Sequence, residues 1–194
     1  MDFEIGELAK FVEEKTSQFT DAQQEIFQTA MKAVKTNSSL YIFIDARGGT
    51  GKSFVLNAIL AAVRIMDEDN GGSVALATGT TGIAANILHL GRTFHSRFKA
   101  PLTPHEDSVL AINVQSTLAK LIKVAKIIVL DEAPMLHRYQ LEALHRTLQD
   151  IMDNDKPFGG KILILSGDFR QTLAVLTNAS SAAVVDAALN RSHL

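Results

Sequence analysis

The 194-residue chain is 46% hydrophobic and 21% charged, enough for a packed core of about one domain, which excludes a disordered polypeptide, a collagen-like repeat and two large lobes side by side. It has no cysteine, which removes disulfide frameworks, thiolate catalysis and cysteine-based zinc sites together. Its net charge of −2 does not advertise a polyanionic partner, yet residues 91–126 hold six basic against two acidic side chains, a basic segment in an acidic chain.

The start, MDFEIGELAKF, is acidic and lacks the basic and then apolar pattern of a secretory signal. The longest apolar stretches, such as Phe54 to Val63 with Asn57 inside it, fall well short of the roughly 20 residues that span a bilayer. Neither export nor a membrane partner is expected. An intracellular placement fits, the nucleus among the compartments, and no targeting run selects one.

Residues 4–15 and 20–35 read as helices, the second with Ala22, Ile26, Phe27, Ala30, Ala33 and Val34 at helical spacing behind Thr20 as N-cap. After the breaker Thr36-Asn37-Ser38-Ser39 the pattern changes to short apolar runs, LYIFI, SVALAT, KIIVL and KILIL, the signature of buried parallel strands. Between them Ser53–Met66, Gly82–Leu90, Ser108–Ile122 and Arg138–Met152 have helical periodicity. The alternation predicts a doubly wound α/β fold, with residues 1–36 as an N-terminal helical segment and 37–194 as one lobe.

The first strand runs into Asp45-Ala46-Arg47-Gly48-Gly49-Thr50-Gly51-Lys52-Ser53 and then a helix, the order that a triphosphate site requires. Gly48, Gly49 and Gly51 allow backbone N–H groups around Thr50 to face phosphate oxygens at a helix N-terminus. Lys52 is expected to reach the β- and γ-phosphates of ATP, and the Ser53 hydroxyl to hold Mg²⁺. Ile127–Leu130 ends in Asp131-Glu132, at the strand edge where open α/β sheets bind ligands. Asp131 is placed to hold Mg²⁺ and Glu132 to deprotonate the attacking water; solvated acids opening a helix are the plainer alternative. Gln171, in the polar cluster Ser166–Gln171 after KILIL, reads either as a γ-phosphate contact or as an ordinary loop residue.

Together FTDAQQ, IDARGGTGKSF, ALATGTTGIAA, GRTFHSRFKAP, IIVLDEAPMLHRYQLEALHRTLQDIM and PFGGKILILSGDFRQTLAVL resemble, in order, the PIF-type (petite integration frequency) 5′-to-3′ DNA helicases of superfamily one, notably the Helitron-borne form. The resemblance covers about residues 17 to 177. It implies a P-loop NTPase motor with two RecA-like lobes, of which this chain matches the first. By the same resemblance the chain is an ATP-dependent DNA helicase that acts on single-stranded DNA in repair, recombination, genome maintenance or transposition. Gln171 is then a catalytic residue and Gln23 an adenine contact, although Thr20-x-x-Gln23 also reads as a capping box. The resemblance assigns Thr80 and Thr81 to the DNA backbone, with N-capping as their alternative. Arg92, His95, Arg97 and Lys99 interleave with Phe94 and Phe98 as in a single-strand groove, the phenylalanines reading equally as core. Lys120, Lys123 and Lys126 would extend this patch or serve as solvated helix-end cations.

The chain departs from the family pattern at Ala46-Arg47, usually Gly-Pro, and at Ala174, usually proline. It carries no motif of the second lobe, which supplies an arginine finger worth about 10³ to 10⁵ in rate. A truncated remnant that binds nucleotide or DNA without turnover is therefore the rival expectation, and a small P-loop kinase a more distant one.

Overall fold

The computed structural model describes residues 5–66, 74–171, 184 and 186–194. Helices α1 (Ile5–Thr16) and α2 (Asp21–Thr36) come first. α2 begins at the Thr20–Gln23 capping box and stops at Asn37, whose left-handed conformation turns its N–H back onto the last carbonyls. There follow β1 (Leu40–Asp45), α3 (Lys52–Arg64), β2 (Ala75–Gly79), α4 (Gly82–Ile87), β3 (Arg92–Thr93), α5 (Phe94–Phe98), α6 (Thr117–Val124), β4 (Ile127–Asp131), α7 (Arg138–Met152) and β5 (Ile162–Gly167).

The strands form one parallel sheet in the order β1-β5-β4-β2-β3. Because side chains alternate along a strand, Ile127, Val129, Ile162 and Ile164 pack with Val34, Leu56, Ile59 and Leu60 of α2 and α3. Ile128, Leu130, Leu163 and Leu165 face the other way, onto Phe94, Ile122, Leu144 and Leu148 of α5, α6 and α7. Both faces are covered, which is why the strands read as continuous apolar runs. The expected doubly wound α/β sheet is present, and its helical layers leave the carboxyl edge for the loops. No helix among the described residues is long and apolar enough to cross a membrane.

Three local expectations are corrected. The helix expected over 108–122 is confined to Thr117–Val124, because Ser116 caps it and Asn113 accepts from the Gln115 N–H to form a turn just before. Ahead of that turn Leu110 is buried and its N–H donates to Thr147, while Arg146 donates to the Ser108 and Glu106 carbonyls. Tertiary partners thus take the polar groups that a helix would have used. The helix expected over 82–90 ends at Ile87, with Leu88 extended and Leu90 at φ 55°. Finally, Arg92-Thr93 forms an edge strand, β3, too short to leave an alternating pattern.

The site depends on one close approach. A Cβ on Gly167, the last residue of β5, would lie 2.2 Å from Cδ of Pro134. Gly167→Ala should therefore destabilise the fold by about 1–3 kcal/mol through overpacking. Thermal melting checks this; an unchanged midpoint would show that the segment after β4 yields freely.

Candidate functional site

β1 and β5 end in register at Asp45 and Gly167, and Ala46 adds one more bond, its N–H donating to the Gly167 carbonyl, before the chain leaves the sheet. The loop then turns through Gly49 (φ 77°) and Gly51 (φ 86°), in the left-handed region where glycine carries no Cβ penalty. Gly51 is the N-cap of α3 and no side chain caps this helix, so its first N–H groups turn toward the loop. Ala46 and Arg47 keep negative φ, so the glycine usual at the first of these positions is not a conformational requirement here. Lys52 bridges the loop, its Nζ donating to the carbonyls of Ala46 (2.6 Å) and Arg47 (3.1 Å).

Asp131 ends β4 and is 2% exposed. Its Oδ2 accepts from the Ser53 hydroxyl at 3.0 Å, and its Oδ1 from the Ser166 hydroxyl at 2.6 Å and the Glu132 N–H at 3.0 Å. The two residues expected to hold a divalent cation, Ser53 and Asp131, are thus brought together across 78 positions of chain. Both offer hard oxygen donors, which suits Mg²⁺.

Glu132 takes the left-handed conformation (φ 55°, ψ 38°), which turns it out of the strand direction. Thr80 secures this turn: its N–H donates to the Asp131 carbonyl at 3.2 Å and its hydroxyl to the Glu132 carbonyl at 3.0 Å. Burial, followed by the charge of Asp131, raises the Glu132 carboxyl above its ordinary value, while Lys52 opposes the shift and Asp168 adds to it.

Gln171 lies against the loop, since a Cβ on Gly48 would meet its amide nitrogen at 2.8 Å. Asp168, three residues earlier, ties down the same loop. Its carboxyl is held below the ordinary range by Arg170, which donates through Nε at 2.9 Å, and by the Arg170 and Gly48 N–H groups. Arg170 also reaches Asp45 at 3.3 Å. Ser166, Asp168 and Arg170 were not singled out from sequence; their one signal was position after the KILIL run. Ala174 lies outside the described residues.

Gln23 serves both of its readings' neighbourhoods. Its Oε1 accepts from the Thr20 N–H at 3.0 Å, completing the capping box, while its Nε2 donates to the Thr50 carbonyl at 3.1 Å. It borders a cavity of about 320 Å³ with Ile26, Ile44 and Val55 beside the loop.

The basic segment divides. Arg92 and Lys99 are exposed. Arg97 is half-buried, donating to the Leu90 carbonyl at 3.1 Å, and burial with Arg92 nearby lowers its pKa. Phe94 and Phe98 are fully buried core, so they are not stacking platforms. His95 Nε2 accepts from the Gln140 amide nitrogen at 2.8 Å, and Thr81 caps α4 by accepting from the Ala84 N–H. Lys126 precedes β4 and donates to Asn37 at 3.1 Å. It sits at the opposite end of β4 from Asp131, a strand length of about 16 Å away.

The sequence profile of the PIF1-like helicases matches residues 18–194. The chain belongs to this family. Among PIF1-like relatives it is 32% identical over 147 residues to the ATP-dependent DNA helicase Pif1 of Psychrobacter, covering 74% of this chain and 21% of that protein. It is 33% identical over 146 residues to the ATP-dependent DNA helicase PIF4 of Trypanosoma brucei brucei, covering 72% and 17%. The chain thus spans about a fifth of the length of these relatives. The crystal structure of Pif1 helicase from Bacteroides in complex with ADP-AlF3 and single-stranded DNA superimposes with a TM-score of 0.70 at 23% identity, covering 90% of this chain and 38% of that one. That likeness shows the RecA-like P-loop fold. The Candida albicans Pif1 helicase structure gives a TM-score of 0.63 at 26% identity, covering 90% and 36%.

Two outcomes are expected. Ser166→Ala leaves the buried Asp131 carboxylate one donor short and should cost about 1.5–3 kcal/mol, read by denaturant unfolding. Because its pKa is raised, Glu132 detracts from stability once ionised, as pH rises from the ordinary carboxylate range through the raised value. Glu132→Gln should therefore raise the melting temperature at pH 7 and leave it unchanged below that range. A lowered midpoint at pH 7 would contradict the assigned burial penalty.

Proposed function

We propose that this chain is the first motor lobe of an ATP-dependent DNA helicase, binding ATP with Mg²⁺ and coupling hydrolysis to 5′-to-3′ movement on single-stranded DNA. One observation carries the reading: the Ser53 hydroxyl and the Asp131 carboxylate meet beside the Lys52 loop, with Glu132 on the same edge. The relative from Bacteroides, crystallised with a nucleotide analogue and single-stranded DNA on the same fold, supports it.

In this reading Lys52 leaves the Ala46 and Arg47 carbonyls for the β- and γ-phosphate oxygens, and the N–H groups at the start of α3 face the same anions. Ser53 and Asp131 hold Mg²⁺, which when bound neutralises phosphate charge. Glu132 accepts the proton of the water that attacks the γ-phosphorus as the bond to the β-bridging oxygen breaks. Gln171, against Gly48, orients the γ-phosphate or that water. Gln23 gives up one of its two hydrogen bonds to read adenine at the mouth of the cavity beside the loop. Thr80, Thr81, Arg92, His95, Arg97 and Lys99 form the strand-facing side. A second lobe completes the site with an arginine.

Lys52→Ala should weaken nucleotide binding at least tenfold, measured by titration calorimetry with a non-hydrolysable ATP analogue. Unchanged affinity would count against the site. Turnover measured with and without single-stranded DNA should fall about 10²- to 10⁴-fold in Glu132→Gln while ATP binding is retained. A Glu132→Gln chain as active as the original would remove Glu132 as the base.

A further inference from the structure

A second cavity, of about 390 Å³, is bounded by Thr80, Thr81, His95, Leu102, His137 and Gln140. No lysine, arginine, aspartate or glutamate lines it among the described residues. A site without charge is a poor host for phosphate, whose binders are cations and aligned N–H groups.

The hydrogen bonds at its wall decide what it offers. The His137 N–H donates to Oε1 of Gln140 at 3.2 Å, which orients that amide. Its Nε2 then donates to the Pro101 carbonyl and to His95 Nε2, 2.8 Å away, so the neutral His95 ring carries its proton on Nδ1. His137 Nδ1 accepts from the Tyr139 N–H at 3.1 Å, so its proton is on Nε2. Each imidazole therefore keeps one N–H with no protein acceptor among the described residues. Thr81 accepts from the Ala84 N–H and retains its own O–H to give. Apolar surface completes the lining, with Leu102 85% exposed at the rim. Uncharged donors around an apolar floor match a flat, neutral group rich in carbonyl and ring-nitrogen acceptors.

We propose that this cavity receives one nucleobase of the bound single strand, turned out of the stack against Leu102 and hydrogen-bonded by His95 and His137. The proposal rests on the DNA-binding reading above and adds to it a named base site, while the exposed Arg92 and Lys99 are left for the phosphates. A base seated there touches Thr80, whose hydroxyl holds the Glu132 carbonyl, so occupancy by the strand lies one hydrogen bond from the general base.

The test compares the shortest oligothymidylate that keeps full affinity, which fixes the register, with the same strand carrying one abasic residue at each position in turn. Anisotropy titrations of the chain should show one position where base loss costs about tenfold in affinity. In Leu102→Ser, an exposed position that leaves the fold intact, and in His95→Ala, that penalty should shrink below about twofold. Equal small losses at every position, or an undiminished penalty in both variants, would overturn the base site while leaving DNA binding standing. No binding of the intact oligothymidylate would overturn both.

Discussion

The buried carboxylate of Asp131 is the interaction on which the rest of the site depends. It accepts from Ser53 at the start of α3, from Ser166 near the end of β5 and from the Glu132 N–H. A carboxylate taken out of water without partners is costly, so these neutral donors are what allow a charge at the end of a fully buried strand. They also make the carboxylate a fastener between the phosphate loop, two strands and the turn that carries Glu132. Hydroxyl donors can be exchanged for a cation with little rearrangement, so a cluster that secures the fold also suits the proposed Mg²⁺ site.

From this point two chains of contact run outward. One passes through Asp168, which receives the Gly48 N–H and the Arg170 guanidinium and so holds the loop from the β5 side. The neighbouring Arg170–Asp45 pair is about half exposed on both sides and adds little beside the hydrogen bonds to buried Asp168. The other passes through Thr80, bonded to the Asp131 and Glu132 carbonyls. Thr80 thereby keeps Glu132 in a left-handed conformation that a non-glycine residue adopts only where its surroundings enforce it. The turn that carries Glu132 and the segment that follows β2 are parts of one hydrogen-bonded unit.

Much of this was legible in advance, for identifiable reasons. The apolar runs ending in Asp45, Asp131 and Gly167 read as strands because a two-sided core demands apolar residues at every position. Lys52, Ser53 and the paired acids stood out because phosphate chemistry needs those types just beyond a strand end. The basic segment misled in part: Phe94 and Phe98 share its composition with a stacking groove, yet both are fully buried. Periodicity alone could not show that Leu110 would anchor a loop on α7, or that Asn113 and Ser116 would delay the start of α6.

By itself the amino-acid order determined the alternation of strands and helices, the glycines of the phosphate loop and the positions of Lys52 at a helix start and of Asp131 and Glu132 at a strand end, since each follows from local spacing. Only the tertiary structure decided that Ser166 and Asp168 complete the acidic cluster, that Gln23 shares its amide between a helix cap and the phosphate loop, and that Thr80 grips Glu132. These bonds join residues 35 positions apart in the case of Ser166 and 52 in the case of Thr80, and Asp168 reaches still further along the chain, to Gly48. A side chain's hydrogen-bond partner at such separation is set by which strand ends the sheet order places side by side, and no local pattern in the chain encodes that order.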